Sequence, residues 1–384
     1  MSSSQEVYTQ VAEKLQAVHP NLHWRRLSNW IWIIVGLIQG QSVHLSQLAL
    51  HIPGLAQEAG RIARIRRWLA NDAIKPRELY DPLIREVLQP WKRREVTIIL
   101  DGCFIRHKTL QMLRVSLSHC FRALPLAWEV VTSKGNVETE VCEKMLRYVA
   151  ELLAHTKRVT FLADRGFRGR EWAKLCVALR WRYMIRLANT TLITFADGRQ
   201  LALNQLGITP GQRRYFTNVR LTQDADWRCH LAITWTTPKP GEPAELCAVM
   251  TNWVPSKWVL NHYLRRMQSE ESFRDEKSGS FDLHHSHLRD PQRLDHLLLA
   301  ISVAVLWIYE LGEQVLREGK RADIDPAYER QLSVFQLGWR ALRRALSCLG
   351  VPACTLRLQP FRLAPVYRGA SRSSRSASCR FRKP

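Results

Sequence analysis

Val96-Thr97-Ile98-Ile99-Leu100-Asp101 is an unbroken apolar run closed by a carboxylate, and Arg158-Val159-Thr160-Phe161-Leu162-Ala163-Asp164 repeats the arrangement later in the chain. Short continuous apolar runs bounded by turn signals read as buried strands. Between them, residues 112–121 and 124–131 are two further strand-like runs, which with the first make a three-stranded meander. Residues 139–154 then carry Val141, Met145, Leu146, Val149 and Leu153 at helical spacing. After Asp164 come a turn at Gly166, a helix beginning near Arg170 and a strand over 182–187. Three strands, helix, strand, helix, strand is the layer order of a mixed α/β domain.

Working outward, residues 188–245 break this rhythm with Asp197-Gly198, Pro210-Gly211 and the group Pro238, Pro240, Gly241 and Pro243, and read as a β-rich insertion. Residues 246–251 are another strand, 257–278 a long helix, and 297–317 and 333–349 two more. Residues 1–92 are helical throughout, with Trp30, Ile33, Ile34, Leu37 and Ile38 on one stripe. In the same region Arg61, Arg64, Arg66 and Arg67 interleave with Ile62, Ile65, Trp68 and Leu69. One face of that helix packs and the other is cationic, as suits a helix laid against DNA. From Val366 the tail carries arginines among serines and no core, the composition of a disordered basic segment that can touch nucleic acid.

Composition narrows the partners. The 384 residues include 57 Lys and Arg against 34 Asp and Glu, a formal charge of +23, so a polyanion is the natural ligand. The longest apolar runs, 30–38 and 297–311, fall short of the ~20 residues that span a bilayer, and the first residues lack the pattern of a secretion signal. A cytoplasmic protein without a membrane partner is expected. Nine cysteines stand singly with no C-x-x-C pair, so neither a disulfide framework nor a zinc site is encoded locally, and they read as reduced core residues. His284, His285 and His287 read as polar surface.

Burying a carboxylate costs several kcal/mol unless a cation or hydrogen bonds compensate. Two aspartates closing adjacent strands invite a divalent metal, and oxygen-only ligands point to Mg²⁺ or Mn²⁺. On the long helix, Tyr263, Arg266, Glu270 and Lys277 fall within an arc of roughly 60° at ~100° per residue. Glu270 thus offers a third carboxylate, and its neighbours offer cations and a hydroxyl for phosphate oxygens.

Tyr263-Leu264-Arg265-Arg266-Met267-Gln268-Ser269-Glu270, followed after six residues by Lys277, resembles the Y-x₂-R-x₃-E-x₆-K signature of bacterial insertion-sequence DDE transposases. Asp164-Arg165-Gly166-Phe167 is similar to the D-x-G-[FY] turn of that family, and Ile99-Leu100-Asp101 fits its first aspartate. The resemblance spans roughly residues 20–310 and implies an RNase H-like mixed sheet flanked by helices and interrupted by the β-rich insertion, with helical N- and C-terminal regions. It implies that Asp101, Asp164 and Glu270 hold Mg²⁺, with Mn²⁺ able to substitute, for in-line phosphoryl transfer at transposon ends. Tyr263, Arg266 and Lys277 would grip the DNA backbone. The implied domains are a DNA-binding region (1–92), a catalytic core in two parts (93–187 and 254–320) around the insertion (188–253), a C-terminal helical region (321–365) and the tail (366–384). Implied partners are double-stranded DNA, as terminal inverted repeats and target, and a second copy of the chain in a homodimeric synaptic complex.

One departure concerns hairpin-forming members, which use a tryptophan just before the signature helix to stack on a flipped base. This chain has Leu246-Cys247-Ala248-Val249-Met250 there, with Trp227, Trp235 and Trp253 nearby. Two other readings of the residues remain: a metal-dependent nuclease on the same scaffold, and a non-catalytic basic DNA-binding protein.

Overall fold

The computed structural model describes residues 2–105, 110–132, 139–167, 169–221, 227–236, 244–327 and 330–360. The basic tail, Cys379 and the proline group 238–243 lie outside the described residues. Helices α1 (Ser3–Val18), α2 (Trp24–Gly40), α3 (Leu45–Leu50), α4 (Glu58–Leu69) and α5 (Pro76–Val87) come first. Strands β1 (Glu95–Ile105), β2 (Leu110–His119) and β3 (Arg122–Thr132) precede α6 (Thr139–Leu152), β4 (Arg158–Ala163), α7 (Arg170–Ala178) and β5 (Arg182–Arg186). Then come β6 (Leu192–Thr194), β7 (Gln200–Ala202), β8 (Arg213–Leu221), β9 (Arg228–Trp235) and β10 (Leu246–Thr251), and finally α8 (Lys257–Tyr263), α9 (Met267–Arg274), α10 (Pro291–Arg317) and α11 (Val334–Arg344).

The chain forms two compact units. A sheet unit comprises Trp91–Ser118 and Ala123–Phe273; a helical unit comprises Met1–Pro90, His119–Arg122 and Arg274–Pro384. This division crosses the boundaries read from the sequence, because α10 groups with the N-terminal helices. An apolar helix with no polar face must be covered on every side. In α10, Leu294 and the unbroken run 296–313 are buried, and α2, α4, α5 and α11 supply the cover. It is the one helix among the described residues long and apolar enough to cross a membrane, yet 94% of its apolar window is buried inside the structure. Gly312 and Gly338 let α10 and α11 meet closely: a Cβ on Gly312 would fall 2.0 Å from the Val334 carbonyl oxygen.

In the sheet unit the ten strands form one sheet in the order β3-β2-β1-β4-β5-β10-β9-β8-β6-β7. β1, β2 and β3 are the expected meander, and β4 and β5 run parallel to β1. Three antiparallel strands followed by two parallel ones make the RNase H-like arrangement. The β-rich stretch after β5 does not interrupt the sheet. It extends it, with β10 antiparallel to β5 and to β9, so the edge of β5 is paired instead of presenting bare N–H and C=O groups.

Side chains alternate across a strand, and one face of the sheet is identified by its core. Ile99, Leu162, Met184 and Val249 cluster with Val259, Leu260 and Tyr263 of α8. The residue two positions on points to the same face, which places Asp101 after Ile99, Asp164 after Leu162 and Arg186 after Met184 under the start of the signature helix.

Candidate active site

Asp101 does not close its strand, as the sequence led us to expect. β1 runs on to Ile105, paired with β2 throughout. What ends at Leu100 is pairing with β4, whose last register pair is Leu100 with Ala163. Asp101 therefore sits where β1 loses its neighbour on one side, and Asp164 is the next residue after β4. Adjacent parallel strands lie about 5 Å apart, so the two aspartates are lateral neighbours. Likewise β4 and β5 end their pairing at Ala163 with Ile185, which makes Arg186 the next in the row.

The third element crosses above. Ser272 Oγ accepts a hydrogen bond from the Ala123 N–H at 2.8 Å, Ser118 Oγ donates to Gln268 Oε1 at 2.8 Å, and the Arg114 guanidinium stands 4.4 Å over the Phe273 ring. These contacts fix α9 on the sheet. The signature segment is not one uniform helix: Leu264–Arg266 tightens to a 3₁₀ turn and Asp275–Gly279 widens to a π turn. The expected common face is realised for Tyr263, Arg266 and Glu270, whereas Lys277 belongs to the helical unit, where burial first and then the Lys277 charge lower the pKa of His284.

Arg266 is buried and binds two of the three acids, Asp101 Oδ2 at 3.2 Å and Glu270 Oε1 at 2.6 Å. Asp101 Oδ1 also accepts from the Gly102 N–H at 2.9 Å, and Ser269 Oγ donates to Oδ2. Burial nevertheless holds the Asp101 carboxyl above its usual range, against the pull of Arg266, Ser269 and Gly102. Burial acts downward on the Arg266 guanidinium, but Tyr263, Asp101, Asp164 and Glu270 outweigh it and raise its pKa. Tyr263 OH donates to the Ala163 carbonyl at 3.3 Å, and its phenol is pushed up mainly by burial. Asp164 is treated differently: among the described residues its buried Oδ1 has no hydrogen-bond partner.

Arg186 escaped the sequence reading. Its Nη2 binds Glu245 Oε2 at 2.7 Å, its Nε is buried without a partner, and Asp164 is among the charges acting on it. The signal was a lone arginine ending an apolar strand, which means little until β5 is known to lie beside β4. Ser269, next to Glu270, was equally unremarkable. At this end of the sheet four carboxylates (Asp101, Asp164, Glu270 and Glu245) face two guanidinium groups, an excess of negative charge that a cation would relieve. The residues fit a divalent ion by donor chemistry: oxygen-only carboxylates, one with an unpartnered buried oxygen.

The N-terminal arginines divide. Arg61 Nη1 donates to the Ile52 carbonyl at 3.0 Å and Arg64 Nε to Asn29 Oδ1, so both are engaged within the helical unit. Arg66 and Arg67 are exposed.

Among the tryptophans, Trp253 lies near the start of β5, its ring 3.2 Å beneath the Arg182 guanidinium. The acids stand at the other end of β5. Trp235 pairs with Leu246 at the acid end of β10 and anchors its Nε1 on the Ile208 carbonyl at 2.8 Å. It lines a cavity of about 200 Å³ with Glu245, Leu246, Asn189 and Asn204. The Trp227 side chain is hydrogen-bonded to Tyr183.

The described cysteines form no disulfide among themselves and are buried except for Cys120, which is partly so, and Cys348, which is exposed.

Comparison with known proteins follows this geometry. Residues 123–307 match the model of a family described as Transposase DDE domain. The match contains Asp164 and Glu270 and begins beyond Asp101. No curated protein matches the chain. A solved structure of Argonaute from Marinitoga piezophila, in complex with guide RNA and target DNA, is similar at 10% identity over 60% of this chain and 34% of that one, with a TM-score of 0.23. The chain thus spans about a third of that protein's length, and a likeness so slight carries no argument.

Proposed function

We propose that the protein is a DDE transposase that cuts and joins DNA strands at transposon ends, with Asp101, Asp164 and Glu270 as the carboxylates holding Mg²⁺ or Mn²⁺. The observation that carries the reading is the register: Asp101 and Asp164 are neighbours on parallel strands, on the face from which the signature helix supplies Glu270. The match to a transposase DDE domain supports it. Bound divalent ions would supply activation of the attacking water or 3′ hydroxyl and stabilisation of the leaving oxygen.

The protein's own residues do the rest. Arg266 bridges Asp101 and Glu270. Its guanidinium lies against the carboxylates that would hold the ion and can grip a phosphate oxygen of the DNA end bidentately. Arg186 offers its unpartnered Nε to the same backbone from beside Asp164. Tyr263, fixed on the Ala163 carbonyl, holds the helix over the end of β4. In the helical unit, the exposed Arg66 and Arg67 are offered to end DNA, and Lys277, Arg61 and Arg64 belong to the same proposed set of DNA contacts. If a flipped base is stacked, Trp235 is the better placed tryptophan, since Trp253 is at the far end of the strands. The functional boundaries given above, a homodimeric synaptic complex and action in the cytoplasm belong to the same proposal.

The test is Mg²⁺-dependent cleavage and joining of DNA carrying the sequences that flank the coding region. Asp101→Ala, Asp164→Ala and Glu270→Ala should each abolish both steps while end binding persists, and EDTA should do the same to the native protein. Full cleavage by any one variant defeats the assignment. Cleavage without joining would leave a nuclease, and a footprint without cleavage a DNA-binding protein.

A further inference from the structure

The turn that joins β2 to β3 is two residues long, and both are left-handed: Cys120 at φ 47° and Phe121 at φ 64°. Two-residue hairpins require this, and Asn-Gly or Asp-Gly accept it cheaply. Cysteine and phenylalanine do not, and left-handed non-glycine residues store strain that tends to persist at functional sites. The turn belongs to the helical unit, together with α10. Its consequence is to bring adjacent side chains, His119 and Cys120, onto the buried carboxylate of Glu313.

His119 Nε2 is hydrogen-bonded to Glu313 Oε1, and the Cys120 thiol lies 3.4 Å from the same Nε2. One ligand atom from each of the three residues lies within 4.8 Å of the others. Tetrahedral zinc, with Zn–S near 2.3 Å and Zn–N near 2.05 Å, sets its sulfur and nitrogen ligands about 3.6 Å apart. The observed spacing is therefore already that of a ligand edge. The second carboxylate oxygen is fixed by the Gln359 N–H at 2.9 Å, which orients Glu313 from behind.

We propose that His119 Nε2, Cys120 Sγ and the Glu313 carboxylate form a binding site for a zinc-class divalent ion, with a fourth position for water. The thiolate and imidazole select zinc or cobalt over magnesium, so the site is chemically distinct from the oxygen-only carboxylates of the sheet unit. Binding releases the Cys120 thiol proton to solvent, and His119 coordinates through the Nε2 lone pair with its imidazole proton on Nδ1. The resulting charges balance, one thiolate and one carboxylate against the dication. Without an ion, burial and the Glu313 charge push the Cys120 thiol up and keep it protonated, with Arg330 opposing them.

The test uses the full-length protein, dialysed after exposure to Zn²⁺ or Co²⁺ alone. The expected result is about one retained ion per chain, a thiolate-to-cobalt charge-transfer band in the near ultraviolet, and a rise in Tm on adding zinc. Cys120→Ser and Glu313→Gln should lose the band and the Tm response. Cys348→Ser, at the exposed thiol, and Asp164→Asn should keep both. Absence of the band in the native protein, its survival in Cys120→Ser, or its loss in Cys348→Ser would overturn the proposal. Should Cys120→Ser fail to fold, zinc must instead protect Cys120 of the native protein from alkylation, and equal labelling with and without zinc would be equally decisive against it.

Discussion

Glu310 of the helical unit and Asp164 of the sheet unit each bury carboxylate oxygen, and the fold treats the two in opposite ways. In the helical unit, Glu310 on α10 accepts hydrogen bonds from the Thr355, Leu356 and Arg357 N–H groups at 2.9 to 3.2 Å and from the Thr355 hydroxyl. A carboxylate with so many donors is a fastener, tying the segment after α11 to the core. In the sheet unit, Asp164 keeps a buried oxygen without a partner, and Asp101 and Glu270 share one guanidinium. A fold gains nothing from leaving a buried oxygen unpaired, since that forfeits on the order of 1 to 3 kcal/mol. At Glu310 the full set of donors fits a structural role, and at Asp164 the missing partner fits a place for a ligand.

The strongest way to break this comparison is to neutralise one acid of each kind. Asp164→Asn should reduce Mg²⁺-dependent cleavage by a factor of about 10³ or more, equivalent to roughly 4 kcal/mol of barrier, with no loss in Tm. Glu310→Ala strands several buried donors at once and should destabilise by about 3 to 5 kcal/mol, read by denaturant unfolding. Destabilisation by Asp164→Asn, or indifference to Glu310→Ala, would dissolve the distinction.

The next contrast lies within one helix. Arg266 is buried against two acids, while its neighbour Arg265 is exposed. A charge-assisted contact is worth about 1.5 to 3 kcal/mol, so Arg266→Ala should slow cleavage at least about tenfold. Arg265→Ala should be close to neutral in the same assay. Equal effects would mean that bulk charge matters and register does not.

How much of this was legible follows from what each feature depends on. The aspartates and their strands could be read because an apolar run ending in a carboxylate is a local signal, and Glu270 because its partners recur at helical spacing. Arg186 could not, since its meaning comes from β5 lying beside β4. The continuation of β1 past Asp101 was hidden because Asp101 and Gly102 break the apolar run, whereas pairing with β2 carries on through Ile105. Lys277 was assigned by a uniform 100° per residue, which the 3₁₀ and π turns do not obey. His119, Cys120 and Glu313 are joined by contact across a long stretch of sequence, which no local spacing can reveal.

A smaller effect separates the four N-terminal arginines. Arg61 and Arg64 bind protein oxygens, whereas Arg66 and Arg67 are exposed. Removing both exposed charges should lower the slope of log K for end DNA against log[salt] by about two, close to 0.9 per phosphate contact, with Tm unchanged. Removing Arg61 and Arg64 should act first on Tm. A salt slope that changes only with the inner pair would invert the assignment.

The smallest effect concerns a buried titratable group that is satisfied yet lies in the sheet unit. His262 Nε2 is hydrogen-bonded to Thr97 Oγ1 at 2.9 Å. Burial, with Arg265 and Arg182 adding to it, lowers its pKa from 6.5 to about 4. In the unfolded chain the imidazole takes a proton below about 6.5, while the folded protein refuses it until about 4. Between those values the unfolded state binds more protons, so stability falls as pH is lowered, by at most about 1.4 kcal/mol per pH unit. His262→Gln, which retains a partner for Thr97, should flatten that part of the stability profile measured by denaturant unfolding and leave cleavage at neutral pH unchanged. Superimposable profiles for the variant and the native protein would show that His262 titrates in the fold as it does in the unfolded chain. Loss of cleavage at neutral pH would show instead that a satisfied group can belong to the site, and the rule drawn from Glu310 and Asp164 would then fail inside the sheet unit.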